Sequence, residues 1–268
     1  MPAPPRSTNT LPVAVAVWSR EFFAGNPRFI QDKIQGKATR VTVLAATGEV
    51  QADDDVAVSF PLAAGGGSLL GFFPGAETNR VSQQAQILAQ NFRLKERIGK
   101  FSGDVQAHQL PRTGGEPRLS SGELDVHIAT DHRHAESLEA RDNVIYEQGV
   151  AGVTNGPDAH VKMISKTLTA NADPATSELT QLIAAGGVQL TQTDSVATGD
   201  RAIYTRGDQV LKLLGHPQIK TTDATFSAEQ ELIWDNAQKK AVSTDYKIVI
   251  NPETLKRVEE SQKLTTHE

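Results

Sequence analysis

A chain of 268 residues can bury a sizeable hydrophobic core, and 22% charged with 38% hydrophobic residues is an ordinary, slightly polar composition. Its 27 basic and 32 acidic residues leave a net charge of −5, without the basic footprint of a nucleic-acid binder or of electrostatic attachment to an anionic membrane. Cysteine is absent, which excludes thiol catalysis, disulfides and cysteine zinc sites.

The opening Met1-Pro2-Ala3-Pro4-Pro5-Arg6 suits a cut made within a longer chain. The apolar run 11–18 is too short to cross a membrane. It also lacks the charged start and small-residue cleavage site of a signal peptide, so any export signal or anchor is expected outside this sequence. The first strand-like text is 37–44, followed by Gly48-Glu49-Val50. It is the earliest copy of a repeat in which a short apolar strand, a polar turn and a second strand succeed one another. Later copies run 82–93 into Gly103-Asp104-Val105, 120–129 into Asp142-Asn143-Val144, and 165–172 into Gly187-Val188. The pattern continues through 198–204, a turn at Arg206-Gly207-Asp208, a strand over 210–219, then 227–236 and 240–250. Val188, Pro217 and Tyr246 are spaced 29 residues apart and mark the phase. Extra residues fall where Gly and Pro break strands, at 61–79, 111–117 and 149–158.

Within the strands the period is two. Leu124, Val126 and Ile128 alternate with Glu123, Asp125 and His127, which places apolar and polar side chains on opposite faces of an antiparallel sheet. Helical spacing is confined to the tail, where Asn251 can cap, Pro252 suits the first turn, and Leu255 and Val258 lie one turn apart. Stacked hairpins of this kind predict an all-β, elongated and twisted slab with a long apolar interior.

Polar clusters carry little chemistry. His127, His132 and His134 gather near a turn, but no third ligand stands at a fitting spacing, which favours a solvated hairpin tip over a metal site. Asp53-Asp54-Asp55 lacks the alternation and closing Glu of a calcium loop and is expected to form a turn between strands. Gly65-Gly66-Gly67 has no following Lys-Ser/Thr, so it is a connection rather than a phosphate loop. No Gly-x-Ser-x-Gly elbow is present, and Glu229 with Glu231 make a solvated strand face. No catalytic residue, metal ligand or cofactor is expected.

Taken together, 210–219 and 226–234, with Gly186-Gly187-Val188-Gln189-Leu190 and Gly199-Asp200-Arg201-Ala202-Ile203-Tyr204, resemble the OstA-like domains of the LptA and LptC family of lipopolysaccharide transport proteins. The resemblance is good over 160–250 and weaker over 80–150. His216-Pro217 replaces the family's usual Asn and apolar residue, and the loops at 61–79 and 111–118 are longer than its compact turns. The resemblance implies a β-jellyroll slab that carries lipid A acyl chains inside. It further implies a periplasmic location and end-to-end stacking with other OstA-like transport components through edge strands, self-association included. Parity within strands selects Val188, Leu190, Ile203, Leu211, Leu213, Ile219, Phe226, Leu232 and Trp234 as the inward, lipid-binding face. Ile203 is the alternative to an inward pair of Ala202 and Tyr204. The expected organisation is an N-terminal region at 1–79, the repeated slab at 80–250 and a short helix or disordered tail at 251–268. The competing readings are a ligand-free structural β-solenoid or adhesin-like protein, and a carbohydrate-active β-helix enzyme. A filled interior would mark the structural protein, a wide one the carrier.

Overall fold

A computed structural model of the chain describes residues 20–31, 34–61, 84–110, 117–130, 135–149, 160–173, 179–192, 195–235, 240–243 and 245–253. Four short strands open it: β1 (Arg20–Ala24), β2 (Arg28–Gln31), β3 (Ile34–Lys37) and β4 (Arg40–Leu44). Eight long ones follow: β5 (Glu49–Pro61), β6 (Gln84–Lys95), β7 (Ile98–Leu110), β8 (Arg118–Ile128), β9 (Ala135–Gly149), β10 (His160–Ala172), β11 (Leu179–Gln192) and β12 (Ser195–Thr205). Six short ones close it: β13 (Val210–Leu214), β14 (Gln218–Lys220), β15 (Ala224–Ala228), β16 (Glu231–Asp235), β17 (Lys240–Val242) and β18 (Tyr246–Ile250). Together they form an antiparallel sheet that does not close on itself, an all-β slab of jellyroll type.

The slab is made by bending the long strands in the middle. Two residues on each odd-numbered long strand face one on its even-numbered neighbour, a bulge that kinks the strand. The paired residues occupy the left-handed region: Asp54-Asp55 in β5, Gly103-Asp104 in β7, Asp142-Asn143 in β9 and Gly186-Gly187 in β11. Gly25-Asn26 and Gly215-His216 do the same between β1 and β2 and between β13 and β14. Gly, Asp and Asn adopt positive φ at lowest cost, which explains the composition of these corners. At the β7 and β11 corners a glycine makes room for the side chain opposite. A Cβ on Gly103 would lie 2.8 Å from Gln90 Cβ, and one on Gly186 would lie 2.7 Å from Lys166 Cβ. At the β8–β9 crossing the roles reverse: Gly122 is the bare position and Asp142 Cβ fills the space, 2.9 Å from where a Gly122 Cβ would stand.

The corners divide the sheet into two half-sheets folded face to face. Half-sheet I holds β1, β4, β13, β16, β17 and one end of each long strand; half-sheet II holds β2, β3, β14, β15, β18 and the other ends. Beside the crease, half-sheet II presents a row of small side chains, Ala89, Val105, Ser121, Val144, Ser165 and Val188. Bulkier ones face them from half-sheet I, including Phe92, Phe101, Leu124 and Leu168. Small against large lets the two layers close near the bend. One continuous core results, running from Ile34 and Val41 to Leu232.

Two expectations are corrected here. Asp53-Asp54-Asp55 is not a turn between strands: Asp54 and Asp55 are a corner inside β5, with the Arg40 guanidinium 2.9 Å from Asp54. The strand expected over 210–219 is broken at Gly215-His216, so β13 and β14 belong to different half-sheets. The tail begins as read: Asn251 Oδ1 accepts from the Glu253 N–H at 3.1 Å, and Pro252 and Glu253 are helical, while Leu255 and Val258 lie outside the described residues.

Candidate functional site: the apolar interior

Eight of the nine residues selected from sequence lie on the inward side. Val188, Leu190, Leu213, Ile219 and Leu232 are buried, and Leu211, Phe226 and Trp234 are half-buried against the same core. Ile203 is the exception. Ala202 and Tyr204 are buried and inward, so Ile203 points outward. The physical reason is the single-residue corner at Asp200. Counting in twos from the inward Ala197 reaches Ile203, but the corner moves the inward set on by three residues and flips the parity.

The interior is sealed over most of its length and opens towards β17 and β18. Cross-strand partners in half-sheet II run Met163, Leu190, Ala197, Ile219, Phe226, Ile248. Along that row burial relaxes from 2% exposed at Met163 to 8% at Ile219 and 45% at Ile248. Half-sheet I matches it with Leu182, Tyr204, Leu211 and Trp234, of which the last two are half-buried. Behind this row Leu213 and Leu232 pair directly and are closed off from solvent. Burial pushes the Tyr204 hydroxyl pKa up. The result is an apolar trough at one end of the slab, built to cover apolar surface at about 25 cal/mol per Å².

At the other end the sequence reading missed a cluster of four rings. Phe29 stacks on Phe92 at 5.7 Å between centroids, Phe92 meets Phe101 at 4.7 Å, and Phe60 meets Phe101 edge-on at 6.0 Å. Phe29 and Phe60 come from half-sheet II, Phe92 and Phe101 from half-sheet I. Their seats are two inward glycines: a Cβ on Gly36 would fall inside the Phe29 ring, and one on Gly99 would lie 3.3 Å from Phe92. Bare glycine paired across strands with large apolar residues is the signal that marks such a seat.

The outer faces are polar. On half-sheet I, Arg141 donates to Asp125 at 2.7 Å and pairs with Glu139 at 2.9 Å and Glu123 at 3.4 Å, while Lys100 reaches Asp125 at 3.2 Å. Burial opposes the charge on Asp125, but the hydrogen bonds from Arg141 and Lys100 outweigh it and hold its carboxyl below the usual range. The Arg93 guanidinium, 2.6 Å from Glu49, lowers that carboxyl too. Depressions of about 400 and 260 Å³ lie over these outward faces and are lined by polar groups such as Arg93, Lys100 and Arg118. His127 faces outward and half-buried; His132, His134 and the triglycine at 65–67 lie outside the described residues. Among the described residues no group of three His, Asp or Glu is placed to hold a metal.

The fold and this interior define an all-β slab whose two bent layers enclose an apolar strip. No protein-family model matches the chain, and no curated protein matches it. Among solved structures it is similar to LptH, the LptA-homologous periplasmic component of the conserved lipopolysaccharide transport device of Pseudomonas aeruginosa. The identity is 12%, the match covers 63% of this chain and 95% of that one, and the TM-score is 0.28.

Proposed function

We propose that this chain is a periplasmic lipopolysaccharide carrier that shields acyl chains in its apolar interior and stacks with OstA-like partners or with copies of itself. It acts as a carrier rather than an enzyme. The slab takes in β6 to β18 and, through β1 to β5, the described part of the N-terminal region as well. The observation that supports the reading best is the graded interior: an unbroken apolar ladder that becomes accessible from Leu190 through Phe226 to Ile248. The strand-and-corner motifs over 160–250 that resemble the family fall on the same segment.

Stacking is supported by where large apolar residues are exposed. They concentrate on the terminal strands, Phe22, Phe23 and Ile30 at one end and Val242, Ile248, Val249 and Ile250 at the other. Such edges present unpaired backbone groups to another chain. Neighbours alternate in direction throughout each half-sheet, so β1 and β17 run the same way, as do β2 and β18. Head-to-tail copies would therefore pair these strands in parallel.

A ligand-free structural role is the second reading, and the closed packing around Phe101, Leu124, Tyr146 and Leu168 favours it for the middle of the slab. Photoreactive residues at Leu211, Phe226 and Trp234 separate the two. Crosslinks to purified lipopolysaccharide from these positions, in protein that melts like the parent, are expected. Their absence from all three leaves the structural role.

A further inference from the structure

We infer that cargo is held at the junction between two stacked copies, in a site of which each copy supplies half: the β17–β18 end of one and the β1–β2 end of the next. This rests on the carrier reading above and adds to it where on the slab the cargo lies, and that holding it requires a second copy.

Three observations carry it. First, the middle of the slab is full. Phe101, Leu119, Leu124, Tyr146 and Leu168 are at most 2% exposed, and side chains packed this closely leave no room for an acyl chain. Second, the interior is accessible at both ends, and in the same way. At one end Leu211, Phe226 and Trp234 are half-buried, and Ile248, opposite Phe226, is 45% exposed. At the other, Phe29 and Val43 are half-buried, and Phe23, opposite the buried Val41, is 44% exposed. Phe23 and Ile248 share the inward side with their cross-strand partners, so they are uncovered because the sheet stops there. Third, each end lacks a wall. Among the described residues β1 pairs with β4 and β2 with β3 on one side only, as β17 does with β16 and β18 with β15. Because β1 and β17 run the same way, as do β2 and β18, a copy added head to tail extends each half-sheet with its inward face still inward. Phe23 and Phe29 of one copy then continue the apolar strip of Trp234 and Ile248 of the other. Alone, each open strip is two or three strands wide at most, on the order of 10 Å, and the junction brings the two together.

The test reads crosslinks to purified lipopolysaccharide from photoreactive residues placed one at a time at Trp234, at Val43 and, as a leucine-sized analogue, at Leu124. The protein is used at a concentration where sedimentation velocity shows it associated. Trp234 and Val43 should crosslink and Leu124 should not. Phe22 and Ile30, 62% and 73% exposed, point outward from β1 and β2 opposite Thr42 and Gln35. Phe22→Lys with Ile30→Lys therefore charges that edge without entering the interior. The variant should be a monomer that melts like the parent, and its crosslink from Trp234, at the opposite end of the slab, should be lost. The converse pair, Val242→Lys with Val249→Lys, should abolish the Val43 crosslink in the same way, and it serves if the first pair fails to fold. A folded, monomeric variant that crosslinks at the parent's level overturns the junction and leaves the carrier standing. A parent that stays monomeric at every concentration overturns the junction whether or not it crosslinks. A crosslink from Leu124 in folded protein overturns it too, because the middle then admits cargo. No crosslink from any of the three positions in the associated parent removes the carrier reading and the junction with it.

Discussion

Gly186 shows what one residue contributes to this fold. Its φ of +87° and the Lys166 side chain over it exclude a Cβ on two separate grounds. Gly186→Ala and Gly103→Ala should each lose about 1–3 kcal/mol in denaturant unfolding, the cost of a non-glycine residue in strained backbone. Gly207, in the open β12–β13 turn with nothing within 4 Å, is the control, and its Ala variant should stay within about 0.5 kcal/mol of the parent. Asp125 contributes to the response to acid. An unfolded Asp takes up its proton near pH 3.9, roughly the value for a free side chain. In the fold Arg141 and Lys100 keep the carboxyl charged to lower pH. Between those limits the unfolded chain binds more protons, so the stabilisation is complete above that pH and is lost as pH falls through the folded value. The variant Asp125→Asn should therefore melt lower than the parent at neutral pH, with the difference shrinking as the pH falls below the ordinary carboxylate range. A constant difference across that range would show that the ion pairs contribute nothing.

The terminal strands are the elements whose behaviour follows from position alone. Among the described residues β17 pairs with β16 and β18 with β15, each on one side. Val242 and Ile248 are 46% and 45% exposed there. Val242→Lys with Ile248→Lys places charges on the edge without touching the sealed core, a common way for natural sheets to block edge pairing. Sedimentation velocity should show association of the parent at high concentration and a monomer for the variant, with the melting temperature little changed. A parent that stays monomeric and ignores OstA-like partners argues against stacking.

For the molecule as a whole, the interior is graded, and substitutions should report the grade. Leu213, at 0% exposed, lies against Leu232 in the closed part. Leu213→Ala should cost about 2–5 kcal/mol, as large-to-small core changes do. Leu213→Asp should prevent folding, because an unpaired buried charge is strongly disfavoured. Trp234, half-buried at the open end, should accept Asp with the fold intact and lose lipopolysaccharide crosslinking from Phe226. A Trp234→Asp protein that is folded and crosslinks normally would place the cargo elsewhere.

The sequence by itself determined the all-β class, the alternation that splits each strand into an inward and an outward face, and the 29-residue beat. Those are local properties: a strand's two faces and a corner's need for Gly, Asp or Asn are legible in a few consecutive residues. The beat is now explained, since Gly186-Gly187 and Gly215-His216 are successive corners, one circuit of both half-sheets apart. Upstream the circuit lengthens because each contains one of the connections 62–83, 111–116 and 150–159. Only the tertiary structure decided that these Gly and Asp pairs bend strands rather than end them, because a corner and a hairpin turn use the same residues. What separates them is whether hydrogen bonding continues to both neighbours beyond the bend. The same limit misplaced Ile203 and hid the phenylalanine cluster. Parity across a corner depends on whether one or two residues turn it, and four rings from β2, β5, β6 and β7 meet only once the half-sheets fold together.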